Sequence, residues 1–317
     1  MKKISFVIPC YCSEHTISDV VAEITDTMEH LKQYTYEIIL VNDCSPDATF
    51  QVVRRICQHD SHVKGITLAR NFGQHAALMA GFHNLTGDII VCLDDDGQTP
   101  ANEVGKLLRK IEDGFDVVYA AYEHKQHTGF RNFGSKINAK MTEVLLGKPK
   151  ELFVSSYFAA KRYIIDEILH YEGCFPYVIG LVLRSTKNVC NVLVKHRKRE
   201  SGQSGYTLRK LLSLWMNGFT SFSVKPLRIA TYSGFISAGL GFIYILVIVI
   251  RYIALRNAPL GWSSTTAIML FLGGIILLVL GMIGEYIGRI YMCVNATPQF
   301  VIKEIINSES GRENVIT

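Results

Sequence analysis

The chain has 317 residues, room for one α/β domain of about 200–250 residues and an appendage. Its 33 Lys and Arg against 28 Asp and Glu leave a net charge of +5, too small an excess to point to nucleic acid. Eight cysteines with no CxxC pair, most inside apolar runs, argue against a disulfide framework and fit a reducing cytoplasm.

In chain order, short β-branched runs alternate with amphipathic stretches. Strands are predicted at Ile4–Ile8, Glu37–Val41, Val63–Leu68, Asp88–Leu93 and Asp116–Tyr119, and helices at Thr16–Leu31, Ala48–Gln58, Gln74–Leu85 and Ala101–Glu112. This βαβα order predicts a Rossmann-like, mostly parallel sheet with helices on both faces, whose ligands bind at the carboxyl ends of the strands. The N-terminus turns polar after Pro9, so no signal peptide is expected.

After Gly147 the pattern changes. Apolar runs at Leu152–Ala160 and Val189–Val194 lead into Lys195–Ser204, a basic stretch that reads either as a substrate loop or as anchoring charge beside a membrane. Tyr206–Ser223 sets Trp215 and a row of Leu against Arg209 and Lys210, as a helix in a membrane interface would. Ile229–Ile250 and Thr265–Gly284 carry no charge over 22 and 20 positions, enough at ~1.5 Å per residue to cross a bilayer. The loop between them holds only Arg251 and Arg256, whereas Arg209, Lys210, Lys225, Arg228, Arg289 and Lys303 flank the pair, which predicts both termini in the cytoplasm. Residues 1–205 are therefore expected to form a cytoplasmic catalytic domain, 206–227 an interfacial helix, 228–291 two transmembrane helices and 292–317 a cytoplasmic tail. Gly284 and Gly288, four apart, would permit close helix contact in a homo-oligomer.

The chemistry concentrates where the fourth strand ends in Asp94, Asp95 and Asp96. Three adjacent carboxylates repel unless a cation or strong donors meet them, and in an extended segment Asp94, Asp96 and Gln98 share one side. That predicts an oxygen-rich site for Mg2+ or Mn2+; a solvated acidic turn is the alternative. Asn42 and Asp43 leave the second strand where a base or ribose could be bound, and Ser45-Pro46-Asp47 reads as a helix start.

These segments, taken in order, resemble the family 2 glycosyltransferases, whose pattern is an Ile-Pro-x-Tyr strand, a D-D-G-S-x-D-x-T turn and a D-x-D-x-Q metal motif. Pro9 and Tyr11 match the first, Asp43, Ser45, Asp47 and Thr49 the second, Asp94, Asp96 and Gln98 the third. The two spans, the ending Gly284, Glu285, Tyr286, Arg289 and the loop Arg199, Gly202, Ser204, Tyr206 resemble the bacterial polyprenyl-phosphate branch of that family. The resemblance implies a GT-A fold in the bacterial inner membrane and inverting transfer of a hexose from a nucleotide sugar, with UDP-glucose the expected donor, to polyprenyl phosphate. It implies metal and diphosphate binding by Asp94, Asp96 and Gln98 and contact with the base by Asp43. Pro9, Tyr11, Asn42 and Asp95 are expected to add donor contacts, and Arg70 reads either as a phosphate contact or as a structural residue at the strand end. The resemblance also implies phosphate contact by Arg199 and Ser204, with Arg199 assisting the transfer; Lys198 and Arg131 are expected as further cations to orient an acceptor phosphate.

Three departures matter. Asn42 replaces the first acid of the turn, Cys44 replaces its glycine, and Ser155-Ser156-Tyr157-Phe158 stands where the family carries Ser-Asp-Phe-Arg, so the usual base is absent. A sugar hydroxyl would need that base, whereas a phosphate monoester, with a second pKa of about 6, is already nucleophilic near neutrality. Transfer to a lipid-linked oligosaccharide and a catalytically silent nucleotide-binding membrane partner are the competing readings. A processive synthase is disfavoured, because neither Trp215 nor Trp262 stands in a Q-x-x-R-W motif.

Overall fold

The computed structural model describes residues 1–122, 148–149, 151–195, scattered positions between 232 and 253, and 261–307. The chain divides into two compact units, Met1–Thr207 with Pro298–Thr317, and Leu208–Thr297.

The first unit is built on an eight-stranded sheet. In chain order its elements are β1 (Lys2–Cys10), α1 (Ile17–His30), β2 (Tyr34–Asn42), α2 (Thr49–His59), β3 (Val63–Leu68), α3 (Gln74–Phe82), β4 (Ile89–Cys92), α4 (Val104–Glu112), β5 (Val117–Tyr122), β6 (Phe158–Lys161), α5 (Arg162–Leu169), α6 (Val178–Ser185), β7 (Val189–Val194) and β8 (Ile302–Ile306). The strand order is β7-β5-β6-β4-β1-β2-β3-β8. β1, β2, β3 and β4 pair in parallel, as do β5 and β7, while β6 runs antiparallel between β4 and β5.

Unbroken apolar runs explain why β1, β2 and β4 are central. From Ile4 to Cys10 every residue of β1 is buried, as a strand covered on both faces requires. α1 closes one face with Ile17, Val20, Val21, Ile24 and Met28, a single helical stripe. On α3 all residues from Ala76 to Phe82 are buried, and a Cβ at Gly81 would come within 2.4 Å of Val7 Cγ1, so the absent side chain lets this helix press onto β1.

The segment expected as a cytoplasmic tail contains a strand. Ile302–Ile306 belongs to the first unit as β8 and covers the β3 edge in antiparallel register. Arg54 donates twice to Glu304, at 2.7 and 2.8 Å, and Asn307, at φ +58°, donates to Val63 O at 3.0 Å. β3 would otherwise offer an open ladder of amides and carbonyls, which an added strand satisfies. Composition alone does not separate so short an alternating segment from a polar tail.

In the second unit, α7 (Trp262–Val294) is a helix of 33 residues, longer than the predicted span because it runs on through Glu285 and Arg289. These two pair along one helix face, Arg289 Nε and Nη2 donating to Glu285 Oε1 at 3.0 and 2.9 Å. Among the described residues α7 holds the one stretch, Phe271–Val294, long and apolar enough to cross a membrane. The described residues between 232 and 253 are helical, and the predicted interfacial helix lies outside the described residues.

At the amino end of the sheet Glu37 is buried and accepts from Ser5 Oγ at 2.5 Å, Thr86 N at 2.6 Å and Thr86 Oγ1 at 2.9 Å, with Lys3 Nζ at 3.0 Å. Burial alone would raise the Glu37 pKa; bonds from Ser5, the Thr86 amide, Lys3 and the Thr86 hydroxyl reverse it, leaving it below its ordinary value. A lowered folded pKa stabilises above the unfolded value of about 4.3, and that stabilisation is lost as pH falls through the folded value. Thermal melts of the full chain in detergent should therefore lose stability on the acid side below about pH 4.3. In Glu37→Gln this contribution to the acid loss should disappear, at a cost near neutrality of about 1–2 kcal/mol.

Candidate active site

Beyond Cys92 the chain leaves the β4 ladder, and Asp95–Gly97 form a bend, with Gly97 at φ +72°. The three carboxylates diverge. Asp94 Oδ2 accepts from Ser156 Oγ at 2.5 Å and Oδ1 from Gln74 Nε2 at 3.1 Å. Asp95 Oδ2 accepts from Tyr11 N at 2.9 Å, and its carbonyl accepts from Thr16 Oγ1 at 2.6 Å. Asp96 Oδ1 accepts from the backbone amide of Gln98 at 3.1 Å. Since the segment is bent rather than extended, alternation is not what places these groups.

Burial raises the Asp94 pKa; the Ser156 bond lowers it, the Asp96 charge raises it and Gln74 lowers it, with a net upward shift. Burial likewise raises Asp95, to about 6, opposed by the Tyr11 amide and Ser13 and reinforced by Asp94 and Asp96. The mutual repulsion expected from the sequence is therefore present. Among the described residues no three His, Cys, Asp or Glu side chains converge as a complete protein cage for a metal. That suits Mg2+ or Mn2+ completed by substrate: such ions take one or two carboxylates and fill their shell with phosphate and water. Asp94, whose pKa the Asp96 charge helps to raise, and Asp96 are the carboxylates that would hold such a cation.

Pro9 is buried at the end of β1 and Tyr11 is 50% exposed beside Asp95. Asn42, the last residue of β2, and Asp43 beside it are only 2% and 3% exposed. Asn42 donates to Thr67 Oγ1 at 2.8 Å and accepts from Ser45 N at 3.1 Å. Asp43 accepts from the amides of Phe72 at 2.7 Å and Gly73 at 2.8 Å, so both carboxylate oxygens hold the start of α3. Their polarity serves the turn itself, where burial demands partners. Asp47 accepts from Thr49 N at 3.2 Å and Thr49 Oγ1 at 2.6 Å, the helix start expected from the sequence. Arg70 is exposed, its guanidinium 4.6 Å from the centre of the Phe72 ring. Arg131, Lys198, Arg199 and Ser204 lie outside the described residues.

Gln74 was not among the predicted site residues. Its signal was positional: it is the first residue of the helix after β3, at the same carboxyl edge.

Residues 5–169, over half of the chain, match the Glycosyl transferase family 2 model. This chain belongs to the family 2 glycosyltransferases. Residues 225–290 of the glycosyltransferase match a second model, the GtrB C-terminal hairpin. Its fold is similar to that of glucosyl-3-phosphoglycerate synthase from Mycobacterium tuberculosis in complex with Mn2+ and UDP-Glc, with TM-score 0.51 and 18% identity over 69% of this chain and 77% of that one. Mannosyl-3-phosphoglycerate synthase from Rubrobacter xylanophilus matches with TM-score 0.48 and 16% identity over 68% of this chain and 71% of that one.

The glycosyltransferase's substitution of its family's turn glycine has a measurable consequence. Cys44 sits at φ +53°, a conformation that costs a side chain about 1–2 kcal/mol. Cys44→Gly should leave the melting temperature unchanged or raise it, whereas the β-branched Cys44→Val should destabilise by about 1–2 kcal/mol.

Proposed function

We propose that this glycosyltransferase moves a hexose, with UDP-glucose the first donor to test, from a nucleotide diphosphate sugar to polyprenyl phosphate at the cytoplasmic face of a bacterial inner membrane. The lipid-linked sugar would then supply modification of a cell-surface glycan. The observation that carries the reading is Ser156: the residue at the position of the family's acid is a hydroxyl donating its proton to Asp94 at 2.5 Å. A hydroxyl so engaged does not serve as a general base. An acceptor arriving as a phosphate anion needs none.

In the proposed reaction an acceptor phosphate oxygen attacks the anomeric carbon while the bond from that carbon to the diphosphate breaks, its electron pair leaving with the nucleoside diphosphate. Direct displacement inverts the centre, and no proton has to be removed. Mg2+ or Mn2+ held by Asp94 and Asp96, with Gln98 nearby, would supply positive charge to the departing diphosphate. Asp95 fixes the β1 loop through Tyr11, Gln74 orients Asp94, and Pro9, Tyr11 and Arg70 border the nucleotide. Arg131, Lys198, Arg199 and Ser204 are proposed to orient the acceptor phosphate. The hairpin match over 225–290 and the apolar length of α7 support two membrane spans and, with them, a lipid acceptor. The Mn2+ and UDP-Glc named for the mycobacterial synthase support the choice of metal and donor.

Membranes containing the protein, given a panel of nucleotide sugars and polyprenyl phosphate, should yield one hexosyl-phosphate lipid identified by mass. Transfer only to a lipid-linked oligosaccharide would overturn the acceptor assignment. Asp96→Ala should lower turnover by at least ~100-fold, and unchanged transfer would contradict the metal assignment. Ser156→Ala should keep turnover within about tenfold of the parent, since no base is lost. Rate should fall below about pH 6 as the acceptor phosphate gains its second proton.

A further inference from the structure

The first turn of α3 is bolted to the site at two points. Asp43 accepts from the amides of Phe72 and Gly73 at 2.7 and 2.8 Å, and Gln74 Nε2 reaches Asp94 Oδ1 at 3.1 Å. Residue 75 is therefore held in fixed register with the carboxylates proposed to carry the diphosphate. A helix whose next seven residues are all buried and apolar or glycine would be expected to carry an apolar residue here too. It carries His75.

His75 stacks edge-on against Tyr177, with ring centroids 4.9 Å apart and planes at 80°. Its Nδ1 is buried without a hydrogen-bond partner, although the residue keeps partial exposure. No protein group among the described residues bonds either ring nitrogen. A histidine kept only for packing would be expected to have its nitrogens satisfied by the fold.

Burial also selects the tautomer. A buried N–H with no acceptor is rarer and more costly than a bare acceptor lone pair, so the proton belongs on Nε2. Desolvation lowers the ring's pKa to about 4, so at neutral pH the imidazole is uncharged, with one N–H to give. An uncharged N–H donor suits a hydroxyl oxygen; the phosphates of the donor are served by cations.

We propose that His75 is a specificity-determining contact of the donor site, its Nε2–H donating to a hydroxyl oxygen of the transferred pyranose. The inference rests on the nucleotide-sugar reading above and extends it to one sugar position. It does not depend on the identity of the acceptor. Gln74 and His75 then divide the labour of the α3 turn: the first holds Asp94, the second reads the sugar. A site built to give a hydrogen bond discriminates strongly against an analogue lacking the acceptor, because the buried polar group is then left unpaired.

His75→Phe preserves a ring against Tyr177 and removes both nitrogens, and His75→Gln restores a neutral N–H donor. Affinities of full-length parent and variants would be measured by calorimetry in detergent. The ligands are the nucleotide sugar that the parent binds tightest, its single-site deoxy and epimeric analogues, and the nucleoside diphosphate alone. In His75→Phe the preferred donor should weaken by ~10-fold or more relative to the free nucleoside diphosphate, with one deoxy analogue scarcely affected. His75→Gln should recover part of the loss, and both variants should bind the nucleoside diphosphate as the parent does. Equal weakening of every ligand, the nucleoside diphosphate included, would assign His75 to phosphate contact or packing and overturn the proposal. Unchanged affinity for all of them would overturn it too. Nucleotide-sugar binding by the parent without hexosyl-phosphate lipid formation would count against the acceptor assignment alone, and a parent that binds no nucleotide sugar would overturn both readings.

Discussion

Three carboxylates in sequence at the end of a buried strand repel one another, and the surrounding loops are arranged to answer that repulsion. Asp94 draws a hydroxyl from Ser156 and an amide from Gln74, Asp95 draws the Tyr11 amide, and Asp96 draws that of Gln98. Every one of these bonds crosses from β4 to another segment or closes the bend that follows it. The ends of β1 and β4, the start of α3 and the approach to β6 are thus held together by donors that the acids recruit. Burial raises the pKa of Asp94 and of Asp95 and the neighbouring carboxylates add to it, a cost that a divalent cation would relieve.

The α3 turn is the second member of this arrangement. Its backbone amides are taken by Asp43, its first side chain by Asp94, and its body is pressed onto β1 where Gly81 has no side chain. A carboxylate in the turn after β2 and another after β4 therefore position the same helix from two sides. Such bracing lets a site at the edge of a sheet hold its geometry without a closed cage of protein ligands.

Ser156 shows how one residue is read differently at two levels. As sequence it is an absence, an acid replaced by a hydroxyl. In the fold that hydroxyl lies against Asp94, so the position belongs to the site whichever residue fills it.

Pattern alone determined the alternating α/β order, the acidic segment Asp94–Asp96 just beyond the carboxyl end of β4 and the apolar C-terminal part, because burial and charge leave periodic and compositional marks on a chain. Within the apolar part, length and composition marked Thr265–Gly284, and α7 runs past it to Val294, with Glu285 and Arg289 paired four residues apart along it. Tertiary structure alone decided that Asn42 and Asp43 face inward to hold a turn, that Gln74 and Ser156 converge on Asp94, that Cys44 adopts a left-handed backbone, and that Ile302–Ile306 closes the sheet edge. Each depends on partners far away in sequence, up to 250 residues for Arg54 and Glu304, and a hydrogen bond across such a separation leaves no local trace in either segment.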